Sequence, residues 1–460
     1  MQNKPTINVI GAGLAGCEAA LAAAKAGVYV NLFEMKPQKF TPAHHSENFA
    51  ELVCSNSLRS DELSNAVGVL KEEMRKLGSI VLESAEKCRV SAGTALAVDR
   101  ELFSSYITNA IRQNEYITVF SKEVTSIPDD GITVVATGPL TSDDMTKYLQ
   151  SKLGFDCLHF FDAAAPIVSA DSIDFSKAYF ASRYQKGDAA YINCPFDEEE
   201  YTAFWQNLCT AKEAELHDFD KEAQKLEVFE GCMPVEVMAK RGKDTLLFGP
   251  LKPVGLPYPG TDITPFAVVQ LRPENEEKTM YNIVGFQTHL TFSEQKRVFG
   301  MIPGLENAEF LRYGVMHRNT FINSPGVLDA DYSMVKNGNI FFAGQMTGVE
   351  GYIESSASGI VAGMNAARRA LSMDKLIFPD TTVIGAMAKY ISEGSPVGAK
   401  FQPMNANFGI VPELGYRVKG GKRVKNQTLG LRALKALDDF ADQNDIKLAF
   451  RKEYDLENNS

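Results

Sequence analysis

The feature that most constrains the fold is a glycine-rich turn between an apolar strand and an Ala-rich helix near the start of the chain. The strand covers residues 6–10, the turn covers residues 11–16 with the pattern Gly-x-Gly-x-x-Gly, and a second strand ends at Glu34. Such a strand–helix–strand unit lets the backbone approach a pyrophosphate at the helix N-terminus, while the acid accepts hydrogen bonds from a ribose. The predicted dinucleotide contacts are Gly11, Ala12, Gly13, Leu14, Ala15, Gly16 and Glu34.

Two later segments favour FAD over NAD as the dinucleotide. Residues 132–138 predict a strand that ends in Ala-Thr-Gly, a pattern typical of FAD proteins of the glutathione-reductase type. Residues 339–345 predict another strand, followed by a glycine-rich turn and a small-residue helix, as in the second FAD motif of such proteins. The usual Asp of that motif is Gln345 here, and an amide can still hydrogen-bond a hydroxyl group. These segments add Thr137, Gly138, Gly344, Gln345 and Tyr352 to the predicted cofactor contacts.

Composition narrows the class of protein. The chain has 460 residues, of which 45% are hydrophobic and 23% are charged, as expected for a globular protein of one to three domains. A formal net charge of −11 argues against a protein that is basic all over, but it does not exclude a local basic patch. The apolar runs are shorter than the roughly 18 residues of a transmembrane helix, so we expect a cytoplasmic protein without a membrane partner.

The seven cysteines are scattered and include no Cys-x-x-Cys pair. A disulfide framework or a zinc site would normally need closely spaced pairs, so we expect reduced thiols and no metal. Most of the thiols are expected to be small buried packing residues, and this interpretation applies to Cys17, Cys88, Cys157, Cys194 and Cys209.

The order of patterns predicts an α/β protein whose FAD-binding Rossmann-like domain is discontinuous. Residues 1–190 and 319–460 are assigned to this domain, because the two FAD motifs lie in them. Residues 191–318 have a different pattern, with a charged helix after residue 197 and short turn-rich strands after residue 231. We interpret them as an inserted α+β domain.

A basic stretch near the C-terminus contrasts with the acidic chain. Residues 417–435 contain seven cations and no acid, which is typical of a surface that contacts a polyanion, although a solvated tail would look similar. A shorter basic stretch follows residue 240. The predicted RNA contacts are Arg241, Lys243, Lys419, Lys422, Arg423 and Lys425.

Two cysteine-bearing segments are more specific than these general patterns. They cover residues 49–60 (Phe-Ala-Glu-Leu-Val-Cys-Ser-Asn-Ser-Leu-Arg-Ser) and residues 229–242 (Phe-Glu-Gly-Cys-Met-Pro-Val-Glu-Val-Met-Ala-Lys-Arg-Gly). With the glycine-rich residues 344–359, they closely resemble the folate- and FAD-dependent tRNA uracil-5 methyltransferases. Residues 312–321 and 401–409 resemble that family too, so the resemblance covers nearly the whole chain.

The resemblance implies a methyltransferase that does not use S-adenosylmethionine. In the family, methylenetetrahydrofolate supplies the carbon, and reduced FAD carries it and supplies the reducing electrons. A T-loop uridine at position 54 of tRNA receives the carbon and becomes 5-methyluridine. NADPH or NADH reduces the flavin, and we expect it to bind transiently because the sequence has no second Gly-x-Gly-x-x-Gly unit.

Two cysteines are the predicted catalytic residues. Uracil C5 is a poor nucleophile until a group adds at C6, and a thiolate suits that addition. Cys232 in a predicted turn is expected to be the attacker, with Lys240 and Arg241 as neighbours that could favour its thiolate. The resemblance assigns Cys54 to proton removal at C5 or to holding the flavin-bound carbon. The expected folate contacts are His317, Arg318 and Tyr352.

Three other readings are compatible with parts of the sequence. The same chemistry could act on a uridine of large-subunit ribosomal RNA, since residue types do not reveal which folded RNA fits a basic surface. A wobble-uridine-modifying flavoprotein has a similar second FAD motif, but it carries a long helical C-terminal domain. From a different class, the chain could be a flavoprotein binding module or an NAD(P)H oxidase without an RNA substrate.

Overall fold

A computed structural model describes residues 4–41, 43–154, 157–163, 165–185, 189–214, 233–314, 316–394 and 401–451. Its helices are α1 (Leu14–Lys25), α2 (Ala66–Lys76), α3 (Ile80–Lys87), α4 (Arg100–Arg112), α5 (Asp143–Leu153), α6 (Glu198–Thr210), α7 (Val235–Lys240), α8 (Phe292–Phe299), α9 (Tyr352–Ala370), α10 (Val383–Glu393) and α11 (Gly421–Gln443). Among the helices of these described ranges, none has the length and apolar character needed to cross a membrane.

The strands of the same ranges form four sheets. They are β1 (Thr6–Ile10), β2 (Tyr29–Glu34), β3 (Ser57–Ser60), β4 (Arg89–Val90), β5 (Ala95–Val98), β6 (Ile117–Ser121), β7 (Ile132–Val135), β8 (Cys157–Ala163), β9 (Ile167–Ser169), β10 (Tyr179–Ala181), β11 (Tyr191–Phe196), β12 (Ala267–Pro273), β13 (Met280–Ile283), β14 (Phe310–Arg312), β15 (Met316–Ile322), β16 (Ser333–Met334) and β17 (Asn337–Phe342). β3, β5 and β4 form a small sheet of their own.

The central sheet has the order β16-β17-β7-β1-β2-β6, and all its pairs except β16–β17 are parallel. β1 lies between β2 and β7, and its residues Ile7, Val9 and Ile10 are buried. Because the strands are parallel, the ends of β1, β2, β7 and β17 meet at one edge of the sheet. Ligands of doubly wound folds bind at this carboxyl edge.

Helices α1 and α9 cross closely beside this sheet. A Cβ atom at Gly359 would lie 2.2 Å from the Ala15 carbonyl oxygen, and one at Gly363 would lie 2.4 Å from that of Ala19. The contacts advance in step along both helices, so the helices run in the same direction. Both N-termini therefore lie on the carboxyl side of the sheet, where their free N–H groups can face a ligand.

The second large sheet has the order β10-β11-β12-β13-β9-β14 and is antiparallel. It packs with α6, α7 and α8 around a separate hydrophobic core whose members fall between residues 168 and 308. The core of the central sheet takes its members from residues 7–149 and 321–440 instead. The predicted fold, a discontinuous Rossmann-like domain with an inserted α+β domain, is confirmed.

The sheets favour boundaries for the inserted domain that differ from the predicted 191–318. β9 and β10 precede residue 191, but both belong to the second sheet. Strands of three residues are too short to show a periodic pattern, so only their pairing, of β9 with the distant β13 and β14 and of β10 with β11, assigns them to a sheet. β8 and β15 pair with each other outside both large sheets. We propose that the inserted domain covers residues 165–314, between these two strands.

Helix α2 carries three buried charged side chains that each reach another element. The Lys71 ammonium group donates to the backbone carbonyl groups of residues 59 and 60 at the end of β3. Glu73 accepts the N–H groups of residues 383 and 384 at the start of α10. Lys76 pairs with Asp438 of α11 at 2.8 Å. These contacts attach the two C-terminal helices to the central domain.

Candidate dinucleotide cleft and cysteine loop

The glycine turn between β1 and α1 lines an open cleft of about 1080 Å³ at the carboxyl edge of the central sheet. Gly11 has a φ of +99°, and a Cβ atom there would lie 2.5 Å from the Ala136 carbonyl oxygen. Gly13 has no protein atom within 4 Å of its Cβ position, so a bound group can approach its backbone. A Cβ atom at Gly16 would lie 1.8 Å from the Gly11 carbonyl oxygen, so Gly16 lets the helix pack on the turn.

All but one of the predicted cofactor contacts line this cleft. Gly16 is the exception, and its role is the packing of helix on turn. The lining includes Gly11, Ala12, Gly13, Leu14, Ala15, Glu34, Thr137, Gly138, Gly344, Gln345 and Tyr352. These residues come from three distant segments, which the parallel sheet brings to one edge. A helix N-terminus, an acid at a strand end and a second glycine-rich turn together fit a dinucleotide.

Hydrogen bonds orient the polar side chains of the cleft. One carboxylate oxygen of Glu34 accepts the Ala12 N–H at 2.8 Å, and the other accepts the Lys36 N–H at 3.0 Å. Each oxygen has further acceptor capacity for a ribose hydroxyl. The Gln345 amide donates to Glu350 at 3.0 Å, which orients the group that replaces the usual Asp of the motif.

Tyr352 joins the second glycine-rich segment to the cysteine loop, which we define as residues 51–56. Its hydroxyl oxygen accepts the Cys54 N–H at 2.7 Å and the Ser55 N–H at 3.2 Å. Burial raises the pKa of Tyr352, and the charge of Cys54 contributes in the same direction, so the phenol stays neutral. The half-buried Cys54 thus lies beside a residue that lines the dinucleotide cleft.

Two arginines hold the backbone of the cysteine loop. Arg100 of α4 binds two of its carbonyl groups and pairs with the buried Glu274, which follows β12. Arg312 of β14 binds a third carbonyl group at 2.8 Å. The accepting groups are those of Leu52 and Cys54 for Arg100, and that of Val53 for Arg312.

A third arginine binds the polar side chains at the end of the loop. Arg272 of β12 donates to the Ser55 hydroxyl at 2.8 Å and to the Asn56 side-chain oxygen at 3.0 Å. The Asn56 amide donates to the carbonyl groups of Val98 and Pro273, each at 3.0 Å. Asn56 therefore links the two domains directly. We refer to Arg100, Arg272 and Arg312 as the arginine clasp.

Three predicted site residues fall beyond what the structure describes. Cys232, the expected attacker of uracil, lies outside the described residues. The side chains of His317 and Arg318 also lie outside them, and only their backbone positions in β15 are described. Lys240, considered as a neighbour that favours the Cys232 thiolate, pairs with Glu213 in the structure.

The other described thiols have environments that suit packing. Cys17, Cys88 and Cys194 are buried and Cys209 is half-buried. Burial raises the pKa of each thiol, so all four stay protonated near neutral pH. The side chain of Cys157 lies outside the described residues.

Known proteins similar to the chain identify its family. A family profile described as glucose inhibited division protein A matches residues 6–374. The methylenetetrahydrofolate–tRNA-(uracil-5-)-methyltransferase TrmFO of Acetivibrio thermocellus is 61% identical over 434 residues, which cover 94% of this chain and 98% of the relative. The chain belongs to this methyltransferase family. The enzyme of the same name from Halalkalibacterium halodurans is 57% identical over 436 residues, covering 95% and 98% of the two chains.

Solved structures agree with the fold of this family member. Aquifex aeolicus GidA matches in two crystal forms, with TM-scores of 0.67 and 0.65 at 17% identity. The matches cover 96% and 95% of this chain and 75% and 76% of the GidA chains. The family resemblance drawn from the two cysteine-bearing segments is confirmed, and GidA supports the α/β fold alone.

In this member of the methyltransferase family, the basic segment (residues 417–425) leads into α11. Its exposed cations are Arg417, Lys419, Lys422 and Arg423, and the half-buried Lys425 pairs with Glu413 at 3.0 Å. The N-terminal end of a helix dipole is positive, so cations placed there are unfavourable for the stability of the helix. The cations and the dipole together give this end of α11 a positive potential. The segment therefore presents a positive surface that favours a polyanion. Arg241 is exposed and Lys243 is half-buried, just after α7 of the inserted domain.

Sequence reasoning missed the arginine clasp. Arg272 left a signal, because a charged residue within a largely apolar strand needs a buried partner. Arg312 begins one of the stretches that resemble the family, yet no role was predicted for it. Arg100 left no signal in the sequence, since an arginine in the first turn of a helix is common. The cleft also includes Lys36, His44 and Glu51, which carry no pattern in the sequence.

Proposed function

We propose that this protein transfers the methylene carbon of methylenetetrahydrofolate to C5 of the T-loop uridine at position 54 of tRNA. FAD is the proposed carbon carrier and source of reducing electrons, and NADPH or NADH is the proposed reductant of the flavin. The observation that carries the proposal is the 61% identity over 434 residues to the Acetivibrio thermocellus protein. The name of that protein states a folate donor and position 5 of a tRNA uracil.

The geometry of the cleft supports this assignment. The glycine turn at Gly13, the acid Glu34 and the second turn at Gly344 suit the two halves of a dinucleotide. Tyr352 joins this cleft to the loop that carries Cys54. A thiol next to a flavin site is what the proposed chemistry needs.

The proposed reaction divides between the bound flavin and two thiols. The flavin, when bound, supplies electrons and holds the one-carbon unit. Addition of the Cys232 thiolate to uracil C6 makes C5 nucleophilic, and elimination of Cys232 after loss of the C5 proton restores the ring. Cys54 is assigned either to the removal of that proton or to holding the carbon before transfer. His317, Arg318 and Tyr352 are the proposed folate contacts.

The basic segment and the cations after α7 are the proposed tRNA contacts. Lys419, Lys422, Arg423 and Lys425 lie on one stretch of chain, of which Lys425 already pairs with Glu413. Arg241 and Lys243 would add contacts from the inserted domain. The target uridine must leave its stack in the T-loop, and these phosphate contacts offset part of that cost of a few kcal/mol.

Methyl transfer to an unmodified tRNA transcript tests the proposal. Labelled methylenetetrahydrofolate with NADPH is compared with labelled S-adenosylmethionine, and label in the T-loop uridine is expected from folate alone. Cys232→Ala should abolish methylation and leave flavin reduction by NADPH intact. Cys209→Ala is the matched control, because this half-buried thiol belongs to the core of the inserted domain, and it should keep both activities.

Two results would contradict the proposal. Label delivered from S-adenosylmethionine would overturn the folate donor. NADPH oxidation without methylation of any RNA would overturn the transferase assignment. Label found only in a transcript of large-subunit ribosomal RNA would keep the chemistry and replace tRNA as the acceptor.

A further inference from the structure

Arg312 carries a charge that the described residues leave unbalanced. Its Nη2 donates to the Val53 carbonyl group of the cysteine loop at 2.8 Å. Its Nε is buried and has no hydrogen-bond partner in the described part of the chain. Among those residues, no carboxylate lies within ion-pair distance of this guanidinium. A partly buried cation without a counter-ion is unfavourable for folding and therefore needs a reason.

A second cation lies next to it. Arg100 binds the carbonyl groups of Leu52 and Cys54 and pairs with Glu274. The pKa of Arg312 is lowered first by burial and then by the charge of Arg100, which indicates that the two guanidinium groups repel each other. Two arginines, Arg100 and Arg312, thus lie beside the cysteine loop with one paired carboxylate, that of Glu274. Two positive charges against one negative charge leave one positive charge in excess.

The remaining charged groups do not remove this excess. Glu51 lies 3.6 Å from Lys36, so these two opposite charges offset each other. Tyr352 is neutral, because its pKa is raised by burial. Arg272 adds another cation, bound to the Ser55 hydroxyl group. The charged and titratable groups considered around the loop are Lys36, Glu51, Arg100, Arg272, Glu274, Arg312 and Tyr352.

We propose that Arg312 is a positioning residue for Cys54, which fixes the cysteine loop through Val53 and favours the thiolate form of Cys54 through the net positive charge that Arg312 and Arg100 together leave beside the loop. A thiolate is the reactive form of cysteine, and neighbouring cations stabilise it. Because Arg312 belongs to β14, the inserted domain takes part in a site that the central domain builds. The inference rests on the proposed role of Cys54 in methyl transfer, but its test requires no RNA.

The test measures alkylation of Cys54 by iodoacetamide in the flavin-loaded protein between pH 5.5 and 10, followed by mass spectrometry of the peptide that contains it. The buried thiol of Cys194 is the internal reference for unfolding. Arg312→Gln removes the charge, and Arg312→Lys keeps it. Arg183→Gln is the matched control, because Arg183 also binds backbone carbonyl groups of the inserted domain, at residues 252 and 254.

We expect the pH midpoint of alkylation to rise by about one unit in Arg312→Gln, which means about tenfold less thiolate at neutral pH. Arg312→Lys should keep the midpoint within about 0.3 units of the wild type, because it keeps the charge. Deuterium uptake by residues 51–56 should rise in both variants, because lysine lacks the guanidinium geometry. The control should change neither measurement.

An unchanged midpoint in a folded Arg312→Gln protein would overturn the electrostatic part of the proposal, and unchanged deuterium uptake in both variants would overturn the positioning part. Arg312→Lys keeps the proposal testable if Arg312→Gln does not fold. With RNA added, kcat for methylation should fall at least tenfold in Arg312→Gln while KM for tRNA stays within about twofold. A shifted midpoint in a protein whose wild type methylates no RNA would support Arg312 and contradict the proposed function.

Discussion

Gly11 and Gly13 lie two residues apart in one turn, yet a methyl group would meet very different surroundings at the two positions. At Gly11 it would clash with the backbone of Ala136 in a left-handed conformation. At Gly13 the φ is −72° and the Cβ position faces open space in the cleft. At the scale of single residues, stability and ligand binding are therefore separable within the same motif.

The first prediction uses this difference. Gly13→Ala should leave the stability of the flavin-free protein nearly unchanged, because its backbone conformation suits alanine, but it should weaken flavin binding at least tenfold. Gly11→Ala should lower the free energy of unfolding by about 2 kcal/mol or more, since strain and a backbone clash combine. Flavin titration by fluorescence and urea unfolding of the flavin-free protein check both. Equal losses of stability in the two variants would contradict the argument.

At the scale of elements, the buried carboxylate of Glu73 connects α2 with the N-terminus of α10. Its two oxygens accept the N–H groups of Val383 and Ile384, each at 2.8 Å. Burial raises the pKa of Glu73 from 4.5 to about 7, although these hydrogen bonds oppose the rise. The folded state therefore binds more protons than the unfolded state between these pH values. This group lowers stability as the pH rises from 4.5 to about 7.

The second prediction concerns this pH dependence. In Glu73→Gln, the loss of unfolding free energy between pH 5 and pH 8 should be smaller than in the wild type, by up to about 3 kcal/mol. The variant should also be less stable at pH 5, because the NH2 group of the amide replaces one of the two oxygens that face the N–H groups of α10. Urea unfolding at four pH values measures the slope. Burial lowers the pKa of His44, so this group makes the unfolding free energy rise with pH. Its contribution is the same in both proteins and does not affect the comparison.

The matched control for this slope is Glu101→Gln on the exposed surface of α4. It should leave the pH dependence as in the wild type. If the unfolding free energy of Glu73→Gln changed with pH as in the wild type, the Glu73 carboxyl would titrate like an exposed group. That result would contradict the argument from its complete burial.

At the scale of the whole molecule, the net charge is −11, yet the basic segment lies at the N-terminus of a single helix, α11. Because the chain as a whole is acidic, such a segment would orient a bound polyanion as well as attract it. The Asn426 amide donates to the Ser64 carbonyl group at 3.1 Å, and Lys76 holds Asp438 further along α11. These contacts connect the basic end of α11 to the chain that follows the cysteine loop.

The third prediction is a change in the salt dependence of tRNA binding. Replacing Lys419, Lys422, Arg423 and Lys425 by alanine should weaken binding at least tenfold and reduce the slope of log K against log salt by about 2 to 3, because fewer counter-ions are released. The control replaces Lys375 and Lys389, exposed lysines that pair with acids elsewhere. Filter binding at several salt concentrations checks both, and equal slopes in the two variants would contradict the assignment of the segment to RNA.

How far the sequence could predict the site depends on how local each feature is. The glycine turn and Glu34 were found because a strand, a turn and a helix within about thirty residues leave a readable pattern. The predicted boundary at residue 191 places β9 and β10 before the inserted domain, because three residues show no period and the partners of β9 are more than 100 residues away. The pairing of Tyr352 with Cys54 spans 298 positions, and only the folded chain shows it.

The Rossmann-like unit and the family could be predicted from the sequence, and Cys54 and Cys232 could be proposed as catalytic residues, since these predictions rest on short-range geometry and on residue types in fixed spacing. Only the tertiary structure shows the arginine clasp and the strand pairing on which the proposed boundaries of the inserted domain rest. Arg272 reaches Asn56 across 216 positions, and Arg312 reaches Val53 across 259. Hydrogen bonds of this kind form between groups that only the packing of two domains brings together, so no local pattern encodes them.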